Sequence, residues 1–209
     1  MEDFRGTLKK AQRANADAFA EIWREYHPGL VRYLRVKCGS AAEDLAADTW
    51  LKVVRNLPGF KGTEDNFQAW LFTMARNRLT DWYRKGSRSR EVLSDGEILL
   101  SMPSVTNVEE EAAERSATDS AVEMIATLPA DQAEAVMLRI VNGLDVATVA
   151  DLMGRTPGSV RVLCHRGLRT LERQVVAEQR RMAAVDAPLG IEAEVAEAVV
   201  VPLGVAQHA

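Results

Sequence analysis

The sequence predicts an all-α protein: two small helical domains joined by a flexible linker, the second ending in a helix-turn-helix. Three observations lead there. Apolar residues recur at helical spacing in both halves, and no segment alternates as a strand would. Between the halves the pattern dissolves into Ser, Asp, Glu and small residues. Near the C-terminal end, DVATVADLMGRTPGSVRVLCHRGLRTLER reads as two short helices meeting at Gly154.

The first domain is assigned to residues 1–86. Phe19, Ile22, Trp23, Tyr26, Leu30, Tyr33 and Leu34 form one helical stripe, with Pro28 expected to kink it. A second helix is expected from Ala42 to Leu57, stopped by Pro58-Gly59, with a loop from Phe60 to Asp65. The third carries Phe67, Trp70, Leu71, Met74, Ala75, Arg78, Leu79 and Trp82 on one stripe, and Asp65 with Gln68 has capping-box spacing. Its other face shows Thr73, Arg76, Asn77, Thr80 and Arg84. Trp23 and Trp70 are expected in the core, while Trp82 and Tyr83 fit either core or surface.

Residues 87–119 are expected to be an acidic flexible linker containing Glu109, Glu110, Glu111 and Glu114. Residues 120–178 form the second domain, with a helix to Thr127, a break at Leu128-Pro129 and another helix to Asn142-Gly143. In the helix-turn-helix that follows, Val149, Ala150, Met153, Val160 and Leu163 pack between the helices, and Ala150 must be small at their crossing. Gly154 suits a left-handed turn, Thr156 can cap the second helix, and Pro157 tolerates its first position. Arg155 occupies a turn position that is more often apolar. Residues 179–209 are an acidic, Ala/Val-rich tail to which no role is assigned.

Net charge is −4, yet the charge is segregated. Met137 to Arg181 holds eight Arg against four acids, and Trp70 to Arg90 holds six Lys or Arg against Asp81. Local fields, not the total, decide what such a surface attracts, and two basic islands point to nucleic acid. Cys38 and Cys164 have neither disulfide-framework nor metal-ligand spacing, so no metal and no cofactor is expected. No signal peptide or membrane-length apolar run is visible, and the expected localisation is cytoplasmic.

The stretches DAFAEIWREYHPGLVRYLR, AEDLAADTWLKVVRNLPGF and FQAWLFTMARNRLTDWYRKGSR resemble the promoter-melting domain of a bacterial RNA polymerase sigma factor. LPADQAEAVMLRIVNGLDVATVADLMGRTPGSVRVLCHRGLRTL is similar to the promoter-binding domain of the same family. Two such blocks without others resemble the extracytoplasmic-function group. The resemblance implies a non-enzymatic factor that binds core RNA polymerase and promoter DNA, with sequestration by an anti-sigma protein left open. It implies core-polymerase binding by Asp44, Leu45, Asp48 and Trp50; Ala47 stands where the family usually has Gln, and Leu45 and Trp50 equally suit a core. Arg76, Asn77 and Arg84 match the helix that holds the downstream (−10) element, and Lys61 and Asn66 suit contacts from the preceding loop, the least specific part of the resemblance. Ser159, Arg161, Val162, His165 and Arg166 match the surface that reads the upstream (−35) element, His165 fitting a phosphate or a base.

The linker has a geometric consequence. Promoter elements in this family lie ~60 Å apart, at ~3.4 Å per base step. A flexible linker of this length has an r.m.s. span of only ~30 Å, so polymerase must set the separation. The acidic run either threads a basic path on polymerase or is a solvated spacer. Two other readings compete. A self-sufficient dimeric helix-turn-helix regulator has no use for the AEDLAADTWLKVV block, and an enzyme would need a metal cluster, phosphate loop or nucleophile motif that the sequence does not offer.

Overall fold

In a computed structural model, residues 3–92 and 109–185 are described, with side chains for 3–85 and 118–181. No strand occurs among the described residues. The helices are α1 (Phe4–Gln12), α2 (Ala16–Cys38), α3 (Ala42–Asn56), α4 (Glu64–Val92), α5 (Glu109–Ala126), α6 (Ala130–Val136), α7 (Val146–Met153) and α8 (Pro157–Val185). Short 3-10 turns cover Gly39–Ala41 and Leu57–Gly59, and a π-helical turn covers Met137–Val141.

In the first domain, α1 to α4 pack around Ile22, Leu30, Leu34, Val53, Phe67 and Leu71, all excluded from solvent. Phe67 is the hub, with the rings of Phe4, Tyr26, Phe60 and Trp70 within 5.7 Å of it. Helix α1 was not legible in the sequence. Asp3 caps it, accepting a hydrogen bond from Gly6 at 2.9 Å, and Phe4, Leu8 and Ala11 enter the core. Its Gln12 amide donates to the carbonyls of Leu57 (3.0 Å) and Phe60 (2.8 Å), fixing the corner after α3.

Pro28 lies inside α2, which runs to Cys38. Several expectations need correction. Trp23 is 38% exposed and stacks on His27 instead of entering the core; Trp70 packs against the core through Phe60 and Phe67. The box at the start of α4 is two residues earlier than Asp65/Gln68. Thr63 Oγ1 accepts from the Asn66 N–H and Asn66 Oδ1 accepts from the Thr63 N–H, at 3.4 and 3.0 Å. Gln68 is thereby free to donate to the carbonyl of Asn142. Trp82 and Tyr83 are 38% and 47% exposed and meet edge to face.

Helix α4 runs on to Val92 and α5 starts at Glu109, so helix enters both ends of the stretch expected as linker; residues 93–108 and 186–209, the latter most of the expected tail, lie outside the described residues. In the second domain Leu128, Val136, Met137, Leu138, Val149 and Val160 are buried, and they join the same apolar cluster as the first domain's core. Both domains belong to one compact unit ending at Leu171. Helices α5 and α6 lie against α2, and α7 lies against α4.

Candidate nucleic-acid interface

The helix-turn-helix is held by local chemistry at each joint. Asp145 caps α7, accepting from the N–H groups of Ala147 (2.8 Å) and Thr148 (3.0 Å). Hydrogen bonds from Thr148 hold its carboxyl below the usual range. Helix α7 ends at Gly154, whose φ of 64° and ψ of 39° are left-handed, a conformation a Cβ would strain. Thr156 Oγ1 then accepts from the Ser159 N–H at 3.2 Å, opening α8 at Pro157. Val149, Ala150 and Val160 are at most 1% exposed between the helices.

A second close crossing was missed in the sequence. A Cβ at Gly167 would lie 2.8 Å from Val136 Cγ2 and 3.4 Å from Leu128 Cδ1, so α8 approaches α6 where only glycine fits. With α8 pinned on that side, Arg161, Val162, His165 and Arg166 stand exposed on the outside, and Ser159 is half-buried beside its cap. Arg155, the unusual turn residue, is engaged in an ion pair with Asp131.

The α4 surface is built differently. Asn66 is occupied by the capping box, while Lys61 on the preceding loop is exposed. Phe60 turns inward onto Trp70, ring centroids 4.9 Å apart, leaving residues 61–63 as the exposed tip. Asn77 and Arg84 are exposed; Arg76 is not free, its Nε donating to Glu134 Oε1 at 3.1 Å. Arg76 and Asn77, with Ala69 and Thr73, form one wall of a cleft whose opposite wall is Thr148, Asp151 and Leu152 of α7.

On α3 the four residues matched to polymerase binding separate. Asp44 is exposed, but Leu45 and Trp50 are 7% and 5% exposed and belong to the core, Trp50 Nε1 donating to His27 Nδ1 at 3.2 Å. Asp48 pairs with Arg78 of α4 at 2.8 Å. The outward stripe is instead Asp44, Ala47, Leu51 and Val54, with Leu51 56% and Val54 49% exposed. The signal was present in the sequence: these positions follow one another by three, four and three residues, one side of a helix.

No group of His, Cys, Asp or Glu suited to a metal, and no helix long and apolar enough to cross a membrane, occurs among the described residues. Residues 22–89 match the model of sigma-70 region 2, and residues 118–171 match that of sigma-70 region 4. The chain is 33% identical over 175 residues to the ECF RNA polymerase sigma factor BldN of Streptomyces coelicolor, spanning 83% of this chain and 66% of that one. It is 32% identical over 182 residues to ShbA of Streptomyces griseus, another ECF sigma factor, spanning 82% and 94%. The fold is also that of the sigma factor RpoE from Bartonella quintana, solved with the anti-sigma factor NepR, at a TM-score of 0.55 and 22% identity over 75% of this chain and 96% of that one. Sigma factors regulate transcription rather than catalyse a reaction of their own, and the two matched regions serve promoter-specific initiation. Two helical domains in this order, matched in sequence over most of their length, make the chain a member of the ECF group of RNA polymerase sigma factors.

Proposed function

We propose that the chain directs core polymerase to promoters by reading the upstream element with α8 and by opening and holding the downstream element with α4 and its preceding loop. The carrying observation is the exposed set Arg161, His165 and Arg166 on a helix whose other side is fixed by the Ala150 and Gly167 crossings. An Arg on such a face can donate two hydrogen bonds to one guanine edge in the major groove, and Ser159 can meet a phosphate. On α4, Asn77, Arg84 and the Lys61 loop would contact the opened strand. The Asp44–Ala47–Leu51–Val54 stripe is the polymerase-facing surface, an apolar strip with a carboxylate at one end. Leu45 and Trp50 support it from beneath. An anti-sigma protein is a further partner class, the Bartonella factor having been solved with one.

The test is transcription by core polymerase on duplex promoter and on the same promoter pre-melted by mismatches at the downstream element. Asn77→Ala should slow transcription on duplex and recover on the pre-melted template, because the cost of unpairing has already been met. Arg161→Ala should be equally impaired on both. Equal defects for Asn77→Ala on the two templates would refute base capture by α4.

A further inference from the structure

Glu134 is the only buried carboxylate among the described residues, 6% exposed, and it does not face its own domain's apolar core alone. Three donors from the first domain converge on it. Tyr33 Oη donates to Oε1 at 3.1 Å, Arg76 Nε to Oε1 at 3.1 Å, and Lys37 Nζ to Oε2 at 2.9 Å. Burial pushes the carboxyl up, but the Lys37 and Arg76 partners outweigh it, and the group sits below its ordinary value. Tyr33, fully buried, is pushed well above its ordinary range by burial and by the Glu134 charge.

The contact continues beyond this carboxylate. Arg35 of α2 pairs with Asp119 of α5 at 2.7 Å. Gln68 of α4 donates to the Asn142 carbonyl, and a Cβ on Gly29 of α2 would lie 2.4 Å from Asn142 Oδ1. Asn142 has little room to yield, since its amide also donates to Met137 O at 2.8 Å. The second domain thus holds Arg76 through Glu134 and stands across an open cleft from Asn77.

This arrangement is incompatible with bridging a promoter. Leu152 shares a cleft with Asn77. The chain from Leu152 to Arg161, even fully extended, reaches no more than about 32 Å. The two DNA elements stand ~60 Å apart.

We propose that Lys37 and Arg76, with the Tyr33 hydroxyl, form a binding site for a nucleic-acid phosphate in the first domain, and that Glu134 occupies it in cis while the free chain is closed. The donor set suits this exchange. Two cations and a hydroxyl around two carboxylate oxygens offer equally well to the anionic oxygens of a phosphodiester. Closure and DNA binding then compete for the same groups, and the closed chain withholds Lys37 and Arg76 while Asn77 stays exposed beside them. The inference rests on the promoter-contacting reading of α4, but its test uses neither polymerase nor promoter, so either can fail without the other.

The experiment uses the full chain alone. Small-angle scattering reports compactness, and fluorescence anisotropy reports binding of a fluorescein-labelled 12-nucleotide DNA strand of mixed sequence. Gly29→Leu wedges the Asn142 contact without changing charge, and Glu134→Ala removes the carboxylate. Both should enlarge the radius of gyration and raise affinity for the strand at least threefold. Adding Lys37→Ala to Gly29→Leu should cancel that gain. A parent chain already as extended as Gly29→Leu would overturn the closed state. A Gly29→Leu chain that opens without gaining affinity, or that keeps its gain when Lys37 is lost, would overturn the phosphate site. Glu134→Ala failing to fold leaves Gly29→Leu to decide, because the atoms within 4 Å of an added Cβ there are those of Asn142.

Discussion

Helix α8 contains two glycines whose replacement by alanine should have opposite signs. At Gly158 the nearest atom to an added Cβ is Thr156 Oγ1 at 4.0 Å, so the methyl enters open space. Alanine there gains helix propensity, worth up to about 1 kcal/mol and less in a first turn. At Gly167 the same methyl would lie 2.8 Å from Val136 Cγ2 and 3.4 Å from Leu128 Cδ1. Val136 is 1% exposed and Leu128 5% exposed, and a short branched side chain in a packed core cannot swing away. Overpacking of this kind costs ~1–3 kcal/mol, so the propensity gain is offset or exceeded. The two variants should therefore differ by ~1–3 kcal/mol, Gly158→Ala being the more stable. With a urea slope near ~2 kcal/mol/M, their unfolding midpoints should differ by roughly 0.5–1.5 M. Circular dichroism against urea, with the parent alongside, reads the difference directly. Gly167→Ala should also weaken upstream-element binding, because pushing α8 off α6 tilts Arg161 and Arg166. If both variants gain stability equally, the α6–α8 approach is looser than described and glycine is not required there.

Arg161→Ala or Arg166→Ala should cost ~1–3 kcal/mol of binding at an upstream element, with relaxed discrimination at one or two base pairs, measured by holoenzyme binding to a panel of single-base promoter variants. Leu51→Asp or Val54→Asp should weaken binding to core polymerase while leaving the melting midpoint nearly unchanged, whereas Leu45→Asp should lose the fold; pull-down and thermal melting separate the two. His27 is held below its ordinary value of 6.5 by burial, only partly opposed by Glu43. The unfolded chain therefore takes the proton first, and stability should fall as pH drops below 6.5. Melting midpoints measured from about pH 7 to about pH 5.5 should decline in the parent and decline less in His27→Gln.

The helices with a one-sided apolar pattern were legible in the sequence because burial demands that pattern. Gly154, Thr156 and Pro157 announced their turn and cap by residue type, since few residues tolerate those backbone positions. What escaped had no local signature. Helix α1 is short, and its Phe4 and Leu8 gain meaning only against Tyr26 and Phe67. At the start of α4 the spacing pointed to Asp65 and Gln68, whereas Thr63 and Asn66 form the box, next to Phe60 packed on Trp70. Glu134 sat in an unremarkable run, LPADQAEAV, because the residues that give it meaning lie 58 to 101 positions away. On α3 the family motif left Leu45 and Trp50 open between core and partner face; they are buried, and helical phase alone puts Leu51 and Val54 on the exposed side.

The clamp from Gln12 to the carbonyls of Leu57 and Phe60 bears on where a piece of this protein can be cut. The inherited pattern begins at residue 22, well after α1. A fragment trimmed to that boundary would strand two carbonyl oxygens and strip Phe4 and Leu8 from the ring cluster around Phe67. The matched region is thus smaller than what this chain must keep to hold its downstream loop in shape.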